Sequence, residues 1–583
     1  MWEIGEPTPR AKALFSDIKR DAEIPRERKA FRDTFDAPVK MPAELLILGR
    51  FGIKYSYMTA ALKLSRQYKV HPAEILIRGK VITTDIWDRS QTMLRMERAS
   101  KRQQKRKRQQ LLWNAVNFLK QRKPEYSAAQ VVQWKQLLLL IVCLTCLAFS
   151  LISPNKNWLH VLLLLLTLFY SFAVFFRGMM LASYEKRREN ITTLVKTDDD
   201  QLPTYCVLVA LYKESNQITS LTESLSRLDW PKHRLDIKLI CEADDHETIH
   251  KIKNAGLPHY FQLVIVPPQH PRTKPKALNF ALPLCEGEYL VLYDAEDIPS
   301  PGQLKEAHLR FSSSDEKLVC LQAPLLIHNA NQNWLTRMFA IEYQTLFTGI
   351  LPVLSKWRAP IPLGGTSNHF RLSALKEVGG WDPYNVTEDA DLGIRLFRNG
   401  YRSGTLKLPT YEECPPKFGP WLRQRTRWIK GWMQTILVHN RKPLKLARQL
   451  GWKNTAIFHL FLTAIVISAL IHPAFLYFSI VQLAHISMTI DSGYDFAFIM
   501  MSVFNLVGGY TTYGLMAFAV LQSTDNAKLA KWLLSLPFYW LLISLAAWRA
   551  LLHLLINPHN WEKTPHGLAL STNSDNNFIE FDG

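Results

Sequence analysis

At 583 residues, with 71 Lys and Arg against 50 Asp and Glu, the chain has a formal charge of +21. That length exceeds one typical domain and predicts two to four units. The seven cysteines are scattered, two of them (Cys143 and Cys146) in an apolar run and none spaced with histidine as metal ligands; this excludes a disulfide scaffold and a zinc site as organising features. The opening MWEIGEPTPRAKALF has no apolar h-region, so no cleaved signal peptide is expected.

Residues 1–40 are charged and broken by proline, which predicts a flexible N-terminus. Residues 41–125 read as a small helical module followed by a basic juxtamembrane segment. Its two halves are alike, each with an Ala-Glu-(Leu/Ile)-Leu-Ile core, a glycine and a second helix. The module is similar to the N-terminal module of type II secretion and pilus ATPases, where an Arg-Leu-Gly motif can bind cyclic di-GMP. That motif is not found here, so a protein-interaction module is preferred to cyclic di-GMP binding. The block KRQQKRKR at Lys101–Arg108 suits anionic lipid, or positive-inside topology, better than nucleic acid, because a long apolar run follows about thirty residues later.

Two apolar stretches, 136–153 and 158–176, predict two transmembrane helices within 136–176. Three more, 455–484, 496–521 and 532–556, predict three within 455–556, with Pro473 and Pro537 tolerated inside the bundle. Lys and Arg cluster before the first run, in EKRREN after the second and in RKPLKLARQLGWK before the third. The short connections SPNKN and AHISMTIDSGYD lack them. A soluble block at 199–440 is therefore placed in the cytosol of a multi-pass membrane protein. Five crossings put the tail, 557–583, on the far side. Arg549 inside the last run resists that count: it snorkels, lines a cavity, or marks a re-entrant run.

The soluble block alternates strand and helix: YCVLVALYKE, a helix at Ile218–Leu228, RLDIKLICEADD, FQLVIVPP and GEYLVLYDAED. This predicts a parallel sheet with helices on its faces. Three strands end in acidic or polar loops, which brings Glu242, Asp244 and Asp245 close to Asp294, Glu296 and Asp297. Clustered carboxylates at a strand end call for a cation. Oxygen ligands suit Mg2+ or Mn2+ with phosphate oxygens completing the shell. Neither a Gly-x-Gly-x-x-Gly nor a Walker sequence is present, which argues against a dinucleotide fold or a P-loop.

Six segments in order, LYKES, CEADDHET, TKPKALN, DAED, VTEDADLG and QRTRW, span some 230 residues. Together they resemble the family 2 glycosyltransferases, in particular the membrane-embedded, processive branch of cellulose, hyaluronan and poly-N-acetylglucosamine synthases. The resemblance implies an α/β GT-A-type (Rossmann-like) catalytic domain inserted between transmembrane helices. It also implies a UDP- or GDP-linked sugar donor, a divalent cation, and inversion at the anomeric carbon, with a polysaccharide or glycolipid acceptor at the lipid bilayer.

On that resemblance Asp294 and Glu296 hold the metal with Asp297 adjacent, Glu296 standing where the family has a second Asp. Tyr212 and Glu214 fall in the nucleotide loop, Glu242 faces the base with Asp244 and Asp245 as alternatives, and Lys274 meets phosphate. Asp389 is the expected general base, with Glu388 beside it, and Asp391 is free to cap the helix that begins there. Gly364 and Gly365 allow close backbone approach beneath an acceptor sugar. Gln424 and Arg427 hold the diphosphate and Trp428 stacks on the acceptor. Read without the resemblance, Trp428, Trp432 and the basic residues around them make an amphipathic interfacial helix, and Asn333–Leu354 makes a second. Two alternatives stay open: transfer of one sugar to a lipid carrier, and a signalling or adhesion protein with a vestigial transferase site.

Overall fold

The computed structural model describes residues 41–152, 157–185, 201–484, 493–524, 526–560 and 562. The expected flexible N-terminus, nearly all of SPNKN, AHISMTIDSGYD and EKRREN, and most of the tail lie outside the described residues. The chain divides into two compact units after Gln110.

In the first unit, helices Ala43–Leu46, Tyr55–Tyr68 and Pro72–Arg78 pack around Leu45, Leu48, Leu62 and Leu76. Gly52, at φ 79°, takes the left-handed turn that ends the 3₁₀ helix Ile47–Phe51, which follows the first of these. The helix-glycine-helix pattern recurs at Pro72–Arg78, Gly79 and Thr84–Arg122. The basic block lies within the last of these helices, exposed throughout.

The second unit begins with two apolar helices, α1 (Trp134–Ile152) and α2 (Asn157–Ser183). The strands β1 (Tyr205–Leu211), β2 (Leu235–Glu242) and β3 (Phe261–Val266) follow, then helix α3 (Lys274–Ala281) and β4 (Tyr289–Tyr293). These strands are parallel, in the order β3-β2-β1-β4. Their side chains alternate between two cores. Cys206, Leu208, Leu290 and Leu292 face one way, and Tyr205, Val207, Val209, Val291 and Tyr293 the other, as a sheet covered on both faces requires.

Beyond β4 the sheet is mixed, which the alternating pattern does not predict. After β5 (Ile298–Pro299) come β6 (Leu318–Gln322), β7 (Leu325–Ile327), helix α4 (Trp334–Gln344) and β8 (Asn368–Arg371). Strand β8 runs antiparallel to both β4 and β6. Helix α5 (Glu388–Arg398) and β9 (Arg402–Thr405) complete the large sheet, and β10 (Thr410–Glu412) pairs with β5 and β7 in a small one. Helix α6 (Phe418–His439) carries QRTRW. Apolar helices α7 (Ala464–Ala484), α8 (Gly493–Leu521) and α9 (Leu536–Ile556) close the unit.

Among the described residues, four stretches are long and apolar enough to cross a membrane: Leu163–Ser183, Trp452–Val481, Phe496–Leu521 and Ala527–Ile556. The first expected crossing, Trp134–Ser150, is shorter than these. Helix α9 has both ends against the soluble block. Ser535, just before it, accepts from Trp334 Nε1 at 2.9 Å, and just after it Asn560 O and Pro558 O accept from Lys430 Nζ at 2.7 Å and Gln434 Nε2 at 2.8 Å. The first residues of the tail thus pack against α6. Arg549 is not left alone in the apolar run, because Glu562 returns to pair with both of its terminal nitrogens at 3.0 and 2.8 Å.

Candidate active site

Register alone assembles the acidic edge. Leu211 of β1 pairs with Cys241 of β2, and Val209 with Tyr293 of β4, so Tyr212, Glu242 and Asp294 leave the sheet side by side. Because β8 is antiparallel, with Asn368 opposite Leu292, its start abuts the end of β4. That places Gly364 and Gly365 beside Asp294. In the small sheet Tyr411 pairs with Ile298, which delivers Glu412 to the same corner.

A cavity of about 610 Å³ opens here. It is lined by Tyr212, Glu214, Glu242, Lys274, Asp294, Glu296, Gly364, Gly365, Glu388, Asp389, Gln424, Arg427 and Trp428. Asp297 alone of the expected site residues is not among its walls; it is turned inward, with 1% of its surface exposed. Its Oδ2 accepts from Asp294 N at 2.7 Å and from the Thr366 hydroxyl. Burial first, then the Asp294 and Glu296 carboxylates, push its acid well above the usual range. It therefore closes the turn that presents its neighbours.

The bridge between the two halves of the site is Lys274. Its ammonium pairs with Asp294 Oδ1 and donates to Gly365 O at 2.7 Å. Burial would lower it, but Asp294 and Glu388 outweigh that and hold it above the usual lysine value. It is thus no solvated helix-start lysine. Beyond it, a Cβ added to Gly365 would lie 3.1 Å from Asp389 Oδ2, and one on Gly364 would strike the Phe347 ring at 2.8 Å. Bare backbone is required at Gly364, and at Gly365 it leaves room for the Asp389 carboxylate.

Glu388 and Asp389 open α5. Burial raises both, to about 7 for Glu388, where Asp389 adds to it, and to about 6 for Asp389, which Ala390 N–H and Lys274 restrain. Asp391 does not cap the helix as expected. It is buried on the opposite face, accepting from Arg395 Nε at 2.8 Å and paired with His439 Nε2 at 3.0 Å. Asp389 accepts from Ala390 N at 2.7 Å instead.

Helix α6 is more than an amphipathic surface helix, since Arg425 and Lys430 are buried. Arg425 pairs with Glu342 at 2.7 Å and lies 4.7 Å from the centre of the Trp428 ring. Tyr343 stacks on the same indole at 5.7 Å. Arg427 lies within electrostatic reach of Glu388, Asp294 and Asp389. Gln424 Oε1 is buried without a partner. The Asn333–Leu354 stretch is likewise inward, with Leu335, Met338, Phe339 and Ile341 in the core beneath the cavity.

Of the three acids after β2, only Glu242 reaches the cavity. Lys276 Nζ pairs with its Oε1 at 2.6 Å, and Oε2 is buried without a partner. Asp244 instead holds Arg272 at 2.7 Å, and Asp245 caps the next helix at Thr248 N, 3.3 Å away.

Sequence reasoning misses Glu412. It lines the cavity with a partnerless buried Oε1, and burial, then Asp297, Glu296 and Asp294, push its acid well above the usual value. The signal was available: YEEC is a short strand ending in acids, like β2 and β4. Among the described residues no three His, Cys, Asp or Glu side chains are grouped to hold an ion by themselves. Asp294 and Glu296, with the orphaned Glu412 oxygen beside them, are hard oxygen donors. They fit a small divalent cation that takes its remaining ligands from phosphate and water.

Residues 289–555 match the family described as Glycosyl transferase family group 2. A probable glycosyltransferase, YdaM, of Bacillus subtilis (strain 168) is 28% identical over 259 residues, 43% of this chain and 60% of that protein. The cellulose synthase catalytic subunit [UDP-forming] of Pseudomonas fluorescens (strain SBW25) is 27% identical over 302 residues, 50% of this chain and 40% of that protein. The chain thus spans less than two thirds of the length of these relatives. Among solved structures, a mannosyltransferase of Pyrobaculum calidifontis, PcManGT, in complex with GDP-Man and Mn2+ aligns with a TM-score of 0.38 at 16% identity, over 60% of this chain and 97% of that one. The matched span runs from the strand that delivers Asp294 to the last apolar helix.

Proposed function

We propose that the protein is an inverting glycosyltransferase of the bacterial inner membrane that adds sugars from a nucleotide-sugar donor to a growing β-linked polysaccharide. The observation that carries this reading is the single cavity shared by Asp294 and Asp389, joined through Lys274 and Gly365 and continuous with the apolar helices. Asp294 and Glu296 would hold Mg2+ or Mn2+, which when bound would draw charge from the departing diphosphate. Lys274 and Arg427 would add donors to the same phosphates, Arg427 through its planar fork. Glu242 Oε2 would accept from the base, and Trp428 would position the acceptor.

Asp389 would remove the acceptor hydroxyl proton as the oxygen attacks the anomeric carbon opposite the leaving diphosphate. Its raised pKa makes it the better proton acceptor for that step. The sign is definite: the base works ionised, so transfer is full above its pKa and falls as pH drops through about 6. The cytosolic placement of the block is supported by the Lys/Arg-rich flanks.

The test is donor turnover by the full chain in membranes, with UDP- and GDP-sugars and Mg2+ or Mn2+. Asp389→Asn is expected to lower transfer by about 10²–10⁴-fold. Unchanged turnover in that variant would remove the proposed base. Radiolabelled product should form a ladder of lengths; a single added sugar would replace the processive reading with transfer to a lipid carrier.

A further inference from the structure

The buried arginines among the described residues of the second unit are paired, whereas the half-buried Arg177 is not. Arg425 has Glu342, Arg395 has Asp391, and Arg398 has Gln449 and His439. Arg177 lies in α2, within the apolar stretch Leu163–Ser183, and lines the same cavity as Asp389 and Trp428. Among the described residues it has no hydrogen bond or ion pair. The groups that act on it electrostatically are the Tyr170 and Tyr513 phenols, with no carboxylate among them.

Two other polar sites on the cavity wall are already bonded. Asn505 Oδ1 takes the Ser171 hydroxyl at 2.9 Å while its Nδ2 donates to Thr167 O at 3.0 Å, and Tyr510 and His472 bond each other at 3.1 Å. A guanidinium cannot lose its charge to relieve burial, as a lysine can. An unpaired cation facing a cavity among apolar helices therefore marks a place where a ligand brings the countercharge. The cavity wall thus carries carboxylates at the sheet edge, aromatic side chains, and Arg177 among the apolar helices.

We propose that Arg177 binds an oxyanion carried by the acceptor, either the phosphate of a lipid-linked acceptor or the carboxylate of an acidic sugar. This rests on the reading of the cavity as the acceptor's path. The fork of the guanidinium takes two oxygens of either group. The acceptor's reacting hydroxyl would then lie towards Asp389 with its charge held at Arg177.

Purified full-length protein in nanodiscs would be titrated with a polyprenyl monophosphate, a uronic-acid oligosaccharide and a neutral β-glucan oligosaccharide, with UDP as the donor-site control. At least one anionic probe is expected to bind more tightly than the neutral one. Arg177→Gln should weaken that probe about tenfold or more while leaving UDP affinity unchanged. The probe that loses affinity identifies the source of the charge. Equal affinities for all three acceptor probes, unmoved by Arg177→Gln, would overturn the proposal. If Arg177→Gln fails to fold, Arg177→Lys serves, since loss of the fork should still weaken the anionic probe, and no change would count against it. Failure of UDP to bind the unaltered protein would instead sink the transferase reading and leave the anion result standing.

Discussion

Asp297 illustrates why three adjacent acids are not three equivalent ligands. A strand end that turns sharply needs an acceptor for its own freed N–H groups, and the third acid of DAED supplies it to Asp294 N and the Thr366 hydroxyl. An amide does that work as well as an acid, and its nitrogen would enter the acid-rich corner where Oδ1 now lacks a partner. Asp297→Asn should therefore leave folding and Mn2+ binding close to those of the unaltered protein. Asp294→Asn should weaken Mn2+ binding in the presence of UDP by about tenfold or more. Titration of the Mn2+ resonance in the two variants decides the matter, and equal losses would return Asp297 to the metal. From sequence the three acids are indistinguishable, because which carboxylate turns inward depends on Thr366, 69 residues away and just before an unanticipated antiparallel strand.

At the scale of elements, the site depends on how closely α6 lies against the turn before α5. A Cβ on Gly431 would approach Thr387 Oγ1 to 2.2 Å, with Thr387 Cγ2 and Cβ also within 3.0 Å. Gly431→Ala gains about 1 kcal/mol of helix propensity but overpacks a rigid contact, at a cost of about 1–3 kcal/mol. The overpacking should win. The expected result is a lower melting temperature and a kcat reduced more than donor affinity, because Glu388 and Asp389 follow Thr387 directly. A variant with unchanged kcat would show that the contact does not set the position of the base.

The strands bearing the acids were legible from their apolar runs and abrupt ends, and α5 and α6 from their periodicity. Strand β8 was not: NHFR is four residues long, without alternation, and reads as loop. Missing it hid why the double glycine lies next to Asp294. Glu412 was missed for a similar reason, since β10 is three residues long and stands only by pairing with β5 and β7. Short strands held by tertiary pairing leave little local signal.

For the whole molecule, the side on which the tail begins constrains the path of the last apolar helices. The expected odd number of crossings after the soluble block conflicts with three backbone carbonyls of Asn557–Asn560 accepting from Lys430 and Gln434 of α6. Lys430 is buried and needs those acceptors, and Glu562 neutralises Arg549. Both features hold the start of the tail against α6. Asn560 is exposed, as is Glu316 on the soluble block, so each tolerates a single cysteine. In oriented vesicles a membrane-impermeant thiol reagent should label Asn560→Cys and Glu316→Cys from the same side. The background is set by the protein without either cysteine, because Cys143 and Cys146 are exposed on α1. Labelling from opposite sides would restore the odd count and would require the tail's contacts with α6 to be broken in the bilayer.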